Sequence, residues 1–157
     1  MSSSIRGFKR VPAYLEERGI EARIVTLNES TRTSKLAADA LGCTVAEIAK
    51  SIAFMAGESA VVVVISGDRR VDAKKVSAHL GVKVGNADAN AVKELTGYAI
   101  GGVPPFPHDA GVKVLLDSSL TRFVKVWAAA GTPNSVMSLR VEQLRDIVGG
   151  ELVDVAA

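Results

Sequence analysis

The sequence predicts an α+β fold built on a mixed, largely antiparallel sheet, and three observations carry that reading. Short helical segments are inserted among hairpin-connected strands, without the regular βαβα alternation of a doubly wound sheet. The uninterrupted run Val61-Val-Val-Val-Ile65 has the character of a strand covered on both faces. The chain is 48% hydrophobic but only 4% aromatic, so its core is to be assembled from Val, Ala, Leu and Ile. With 157 residues there is material for one well-buried core and too little for two ordinary domains. A single domain is expected over residues 11–157, behind a Ser-rich, basic and flexible N-terminal segment over residues 1–10.

The elements follow from local signals. Residues 12–18 read as a short helix, with Pro12 in its first turn and Gly19 beyond its end. Residues 22–27 alternate as a strand, and 28–33 form a polar loop. Thr33 or Ser34 then caps a helix over 35–41 that stops at Gly42. Thr44 and Glu47 have capping-box spacing, which predicts a further helix that puts Ile48 on its apolar face and Lys50 near its C-terminal end. Residues 52–56 and 60–66 read as strands joined by a hairpin at Gly57-Glu-Ser59. Asp72 caps a helix through Leu80 that ends at Gly81, and Asp88 caps another through Leu95 that ends at Gly97. Residues 112–116 and 123–128 are further strands, 135–138 is a weaker one, and 141–148 is an amphipathic helix before Gly149-Gly150.

Composition narrows the classes of function. The net charge is only +2, which gives no electrostatic case for a large basic face that grips nucleic acid tightly without regard to sequence. Small basic clusters at Arg6, Lys9 and Arg10, at Arg69 and Arg70, and at Lys74 and Lys75 fit a solvated surface. A single cysteine, Cys43, excludes an intrachain disulfide and a cysteine-cluster metal site. The two histidines, His79 and His108, lack metal-ligand spacing. No apolar run reaches the roughly 18 residues of a membrane span, and the N-terminus lacks the apolar region of a signal peptide. A cytoplasmic, metal-free protein is expected.

Two features carry chemistry. In Thr96-Gly-Tyr-Ala-Ile-Gly-Gly-Val-Pro-Pro-Phe106, Gly101 and Gly102 can adopt φ > 0 and leave main-chain N–H groups unshielded, while Pro104 and Pro105 stiffen the chain that follows. A tight connection between two strands would use the same residues. Lys50 stands where a helix hands over to a strand, a position that a helix dipole alone would also favour for a cation.

Taken in order, Lys50-Ser51 before an apolar strand, Ser66-Gly-Asp-Arg69, Val71-Asp-Ala-Lys74, Ala87-Asp88, the loop from Thr96 to Phe106, and Leu116-Asp117-Ser-Ser-Leu120 resemble the YbaK/EbsC family of aminoacyl-tRNA editing domains. This family is related to the editing insertion of bacterial prolyl-tRNA synthetase. The resemblance spans residues 22–150, and its most specific parts are the lysine at the junction and the Gly-x-x-x-Pro loop from Gly101 to Pro105. It implies a curved mixed sheet, partly barrel-like and flanked by helices. It also implies a trans-editing deacylase that hydrolyses the ester of a mischarged tRNA, with a small amino acid on a tRNA(Pro)-type substrate. The partners implied are the acceptor end of that tRNA and an aminoacyl-tRNA synthetase, with no cofactor.

Such an ester is already activated, so the protein has only to position it, stabilise the developing oxyanion and admit one water. Lys50, Gly101 and Gly102 are the implied catalytic positions: Lys50 supplies positive charge, and the main-chain N–H groups from Gly101 to Val103 supply donors. A ribose hydroxyl rather than a protein nucleophile is the family's expected assistant to water, in keeping with a chain that has no Ser-His-Asp or Cys-His arrangement. Ser51, Val103, Pro105, Asn134, His108 and Asp117 are the implied substrate-binding positions. Asp117 falls on the family's acidic position after a strand, although its place also suits an N-cap for residues 118–120. Pro107 stands where related proteins carry glycine before the histidine, which alters the loop around His108. The tyrosine and aspartate of the Cys-tRNA(Pro) deacylase branch are replaced by Leu27 or a neighbour and by Val136, so cysteine specificity is not transferred. Asn134 lies where other branches shape the amino-acid pocket, leaving Ala, Ser and Thr open as substrates.

Two rivals share the fold or the pocket. One is a tRNA- or synthetase-binding module that has lost hydrolysis, for which both Lys50 and the intact loop would be superfluous. The other is a small-molecule regulatory domain with a glycine-lipped apolar pocket.

Overall fold

The computed structural model describes residues 9–27, 33–149 and 152–157. The expected flexible segment falls outside these residues except at Lys9 and Arg10, where Lys9 precedes the first helix without a side-chain capping bond and Arg10 opens it. Most of the polar loop expected after Leu27 also lies outside them. Among the described residues, helices α1 (Arg10–Arg18), α2 (Ser34–Leu41), α3 (Ala73–Leu80), α4 (Ala89–Thr96) and α5 (Val141–Val148) are interspersed with eight strands. These are β1 (Arg23–Thr26), β2 (Ile48–Ala56), β3 (Ser59–Ser66), β4 (Val84–Asn86), β5 (Lys113–Asp117), β6 (Lys125–Ala129), β7 (Ser135–Arg140) and β8 (Leu152–Val153).

The helices start and stop where local chemistry places them. The side chains of Thr33, Asp72 and Asp88 accept hydrogen bonds from Leu36, Lys74 and Ala91 N–H groups, which have no partner within the first helical turn. Each of these helices then ends on a left-handed glycine, Gly42, Gly81 or Gly97.

The strands form one sheet in the order β1-β7-β6-β2-β3-β5-β8, with β4 added beside β2. The path is open at both ends, so the sheet is not a closed barrel. Its antiparallel ladders join β1 to β7, β6 to β7, β2 to β3 and β2 to β4. Parallel ladders join β2 to β6, β3 to β5 and β5 to β8. This is the α+β, mixed and largely antiparallel arrangement that the inserted short helices predict.

Central strand β3 has neighbours on both edges and apolar layers on both faces. Val62 and Val64 belong to one core cluster, with Val103, Phe106, Leu116 and Leu144. Val61 and Val63 belong to the other, with Phe54, Val76 and Leu115. Burying such side chains contributes about 1.5–3 kcal/mol each, which suits this uniformly apolar run to the middle of the molecule. A third, smaller cluster packs Ala37 and Ala38 of α2 against Ile48, with Trp127 at its margin.

The helix expected from Thr44 to Lys50 is not formed. Only a 3-10 turn, Val45–Glu47, is present, and β2 begins at Ile48. The local chemistry of the capping signal is partly made: Glu47 Oε1 accepts from the Thr44 N–H at 3.0 Å and from the Thr44 hydroxyl at 2.9 Å. Pairing then takes over, because Ala49 and Lys50 are registered with Ser66 and Ile65 of β3, and Ile48 with Trp127 of β6. Sheet pairing across the core outweighs a single turn of helix. Strands β4 and β8 were not anticipated; each is too short to show an alternating pattern.

Candidate active site

A cleft opens where β2 loses its neighbour. On the edge away from β3, β2 pairs with β6 only at Ile48 and Ala49, and with β4 only from Phe54 to Ala56. Between these ladders, residues 50–53 have no strand beside them among the described residues. The resulting cleft has a volume of about 550 Å3 and is lined on this side by Lys50, Ser51 and Ile52. Gly101 and Val103 line it too, as do Trp127 of β6 and Val136 of β7. Alternation along β2 puts Lys50 and Ile52 on one face of the strand and Ser51 on the other, and the missing neighbour gives the cleft access to both.

Lys50 is a half-buried cation with little to neutralise it. Its Nζ donates to the Gly67 carbonyl at 3.5 Å, the outer limit of a hydrogen bond. Burial pushes its pKa below the usual lysine value, Arg70 pushes in the same direction, and Asp68 opposes them. Asp68 is itself engaged elsewhere. The Arg122 guanidinium grips both its oxygens, at 2.6 and 3.0 Å, and holds its carboxyl down at about 2. Arg122 is in turn fixed by donating to the Ser66 hydroxyl and the Ser119 carbonyl, each at 2.9 Å. The charge of Lys50 is therefore available to an incoming anion or polarised carbonyl.

The Ser51 hydroxyl is buried and has no hydrogen-bond partner among the described residues. Buried polar atoms are rarely left in that state, so a group that enters the cleft and bonds to it would be stabilised.

Opposite β2, the glycine loop is a turn closed by the Gly102 N–H donating to the Ala99 carbonyl at 2.9 Å. Gly101, at φ 85°, occupies the third position of that turn, where positive φ calls for glycine. Ile100 projects from the turn and is 56% exposed. The loop is held from below: Val103 and Phe106 are buried in the core, Tyr98 donates to the Pro107 carbonyl at 2.8 Å, and Tyr14 packs on Phe106 with ring centroids 5.6 Å apart.

Gly102 departs from its expected role. Its N–H is consumed by the turn, it is buried, and it does not line the cleft. Its requirement for glycine is steric, since a Cβ would lie 2.7 Å from the Thr132 carbonyl carbon and 2.8 Å from the Thr132 Cα. The donors left over are the N–H groups of Gly101 and Val103, which bond to no group of the chain among the described residues.

Other expected site residues lie apart from the cleft. Pro105 and His108 line a separate cavity against α1 and α5. There His108 Nε2 lies 2.8 Å from the Pro104 carbonyl, its ring meets Tyr98 edge-on, and burial lowers its pKa. Asp117 is buried at the end of β5 and does not line the cleft; it accepts from Ser119 N–H and Val155 N–H at 2.9 Å each, capping the turn that follows and tying it to the C-terminal segment. Asn134 spends its side chain on the Leu27 carbonyl, at 3.2 Å, and on the Thr132 hydroxyl, at 2.9 Å. It shapes the turn that Gly102 packs against.

Trp127, Ile52 and Ile100 line the cleft and were not singled out from the sequence. Trp127 read as an ordinary strand residue, and only the abrupt end of its pairing with β2 exposes it to the cleft. Among the described residues, no cluster of His, Cys, Asp or Glu could hold a metal ion, and no helix is long and apolar enough to cross a membrane.

Known proteins share this architecture. Over 139 residues the chain is 34% identical to YwhH, an uncharacterized protein of Bacillus subtilis, with 88% of each covered. It is 25% identical over 151 residues to ProXp-y of Escherichia coli K12, a multifunctional Ser/Thr-tRNA deacylase, with 93% of this chain and 90% of that one covered. A crystal structure provisionally described as a trans-editing enzyme for prolyl tRNA synthetase superposes with a TM-score of 0.88 at 37% identity, over 96% of both chains. Residues 28–147, which include every residue of the cleft, match the model of the aminoacyl-tRNA editing domain. The chain belongs to the aminoacyl-tRNA editing domain family.

Proposed function

We propose that this protein is a trans-acting deacylase that hydrolyses the ester between a small amino acid and the terminal adenosine of a mischarged tRNA. The observation that carries the proposal is the convergence of Lys50, the unpartnered Ser51 hydroxyl and the Gly101 turn on one cleft. In this reading the ester carbonyl lies against the free N–H groups of Gly101 and Val103, where negative charge grows as water attacks. Lys50 adds a positive charge on the β2 side. The carbon–oxygen bond to the ribose then breaks, releasing the free amino acid and an uncharged tRNA, with the proton of the attacking water passing to the ribose oxygen.

The amino-acid side chain is expected to be small. The cleft wall includes Ala49, Ala128 and Ala129, and the Ser51 hydroxyl offers a polar contact suited to serine or threonine. The Ser/Thr-tRNA deacylase relative supports the same class, and the structure described as serving prolyl-tRNA synthetase supports a tRNA(Pro)-type carrier. Pro105, His108, Asp117 and Asn134 support the loops in this scheme and do not touch the substrate.

The test is release of labelled amino acid from tRNA(Pro) and its cognate tRNAs charged in turn with Ser, Thr, Ala and Cys. Turnover of the Ser, Thr or Ala ester above spontaneous hydrolysis is expected. Tight binding of these tRNAs with no ester cleavage would instead establish a non-catalytic tRNA-binding module.

A further inference from the structure

A second groove, of about 650 Å3, lies beside the cleft on the same face of the sheet, and Trp127 lines both. Strand alternation accounts for it. Along β6, Lys125, Trp127 and Ala129 point to one face; along β7, Val136, Ser138 and Arg140 do the same. Register aligns these sets: Ser138 stands opposite both Trp127 and Arg23 of β1, and Arg140 opposite Lys125. Val126, Ala128, Met137 and Leu139 take the other face and fill the core. The outer face thus runs from small apolar residues in the cleft, past Trp127, to three cations.

Those cations are not neutralised by any described residue. Arg23, Lys125 and Arg140 are exposed, and none forms an ion pair among the described residues. Directly paired strands, as at Lys125 and Arg140, hold such side chains about 5 Å apart at the backbone, so like charges there repel and cost stability. Among the described residues Glu21 is the sole carboxylate lining the groove, and it is not paired with them either. Three unneutralised cations beside a tryptophan suit a polyanion with exposed bases.

We propose that this groove tracks the phosphate backbone of the RNA whose terminal nucleotide occupies the cleft, with Arg23, Lys125 and Arg140 on successive phosphates and Trp127 at the turn between backbone and cleft. This inference rests on the deacylase reading for the position of the terminal nucleotide. The distances are compatible: the four residue-to-residue steps from Val136 to Arg140 span about 13 Å of strand, enough to leave the terminal nucleotide and reach the phosphates that precede it. A modest net charge is consistent with a local contact of this size rather than a broad basic surface.

The experiment is equilibrium binding of a fluorescein-labelled acceptor-stem RNA hairpin ending in single-stranded CCA, measured across a salt series. The unmodified protein is compared with the triple variant Arg23→Ala, Lys125→Ala, Arg140→Ala and with the charge-retaining Arg23→Lys, Arg140→Lys; circular dichroism checks that each is folded. The triple variant is expected to bind at least about tenfold more weakly at low salt, and to lose roughly 0.7–0.9 per phosphate contact from the slope of log K against log salt. The charge-retaining variant keeps the slope. A folded triple variant with unchanged affinity and slope would overturn the inference, whether the groove then proved to hold an acidic protein or a second copy of the chain. Hydrolysis of the charged tRNAs by the unmodified protein is scored separately. Hairpin binding that depends on the groove, without any ester cleavage, would overturn the deacylase reading and support the RNA surface.

Discussion

Lys50 shows most clearly how function and stability pull apart at one residue. Its pKa is lowered in the fold, chiefly by burial, so the charged form is less favourable there than in the unfolded chain. The sign follows from linkage: the penalty is complete below the folded pKa and fades as pH rises towards the unfolded value near 10.5. At neutral pH the lysine therefore weakens the fold, and Lys50→Met is expected to melt no lower than the parent protein while losing about 10² or more in turnover. Thermal melts and single-turnover hydrolysis measured on the same preparations check this, and a variant with full turnover would reduce Lys50 to a bystander. The two glycines separate in a similar way. Gly102→Ala forces a methyl group into the Thr132 backbone and is expected to destabilise by about 1–3 kcal/mol, with turnover falling because the loop shifts. Gly101→Ala meets the φ penalty of about 1 kcal/mol and acts directly at the cleft. Denaturant melts distinguish them: an unperturbed Gly102→Ala would contradict the packing described. Sequence alone named both glycines but could not apportion these roles, since the clash involves a turn some thirty residues away along the chain.

At the scale of elements, helices capped by Thr33, Asp72 and Asp88 were legible because cap, turn and terminating glycine all lie within one short segment. The segment carrying Lys50 was not. Its capping signal is local, whereas its strand is imposed by β3 and β6, and no local pattern records which distant strand will claim it. The cleft itself comes from an absence of pairing along β2, a property of two partners ending at different points. One element-level contact has a clear pH signature. Asp68 is depressed to about 2 by Arg122, so the pair contributes stability above the unfolded carboxyl pKa of about 4 and loses it as pH falls towards 2. Arg122→Ala is expected to destabilise at neutral pH, with the difference from the parent narrowing between about pH 4 and pH 2. Equal melting temperatures at pH 7 would show that the pair does not brace the turn after β3 against the turn after β5.

For the whole molecule, the apolar run Val61–Ile65 correctly announced a central strand, and the inserted helices announced a mixed sheet. The family was legible from the lysine and the glycine loop, which the fold brings to one cleft from Lys50 and Gly101, far apart in the chain. His108, Pro105 and Asp117 were named through the family resemblance, but none of them lines the cleft: Pro105 and His108 line a separate cavity, and Asp117 is buried at the end of β5. In the proposed reaction the ester lies between Lys50 and the Gly101 and Val103 amides. The most direct test is titration of 15N-labelled protein with a non-hydrolysable analogue, 3′-deoxy-3′-(serylamino)adenosine, followed by amide chemical shifts. The largest shifts are expected at Gly101 and Val103, with Lys50 and Ser51 moving alongside them. Shifts confined to the His108 cavity, with the Gly101 and Val103 amides unmoved at saturation, would contradict it.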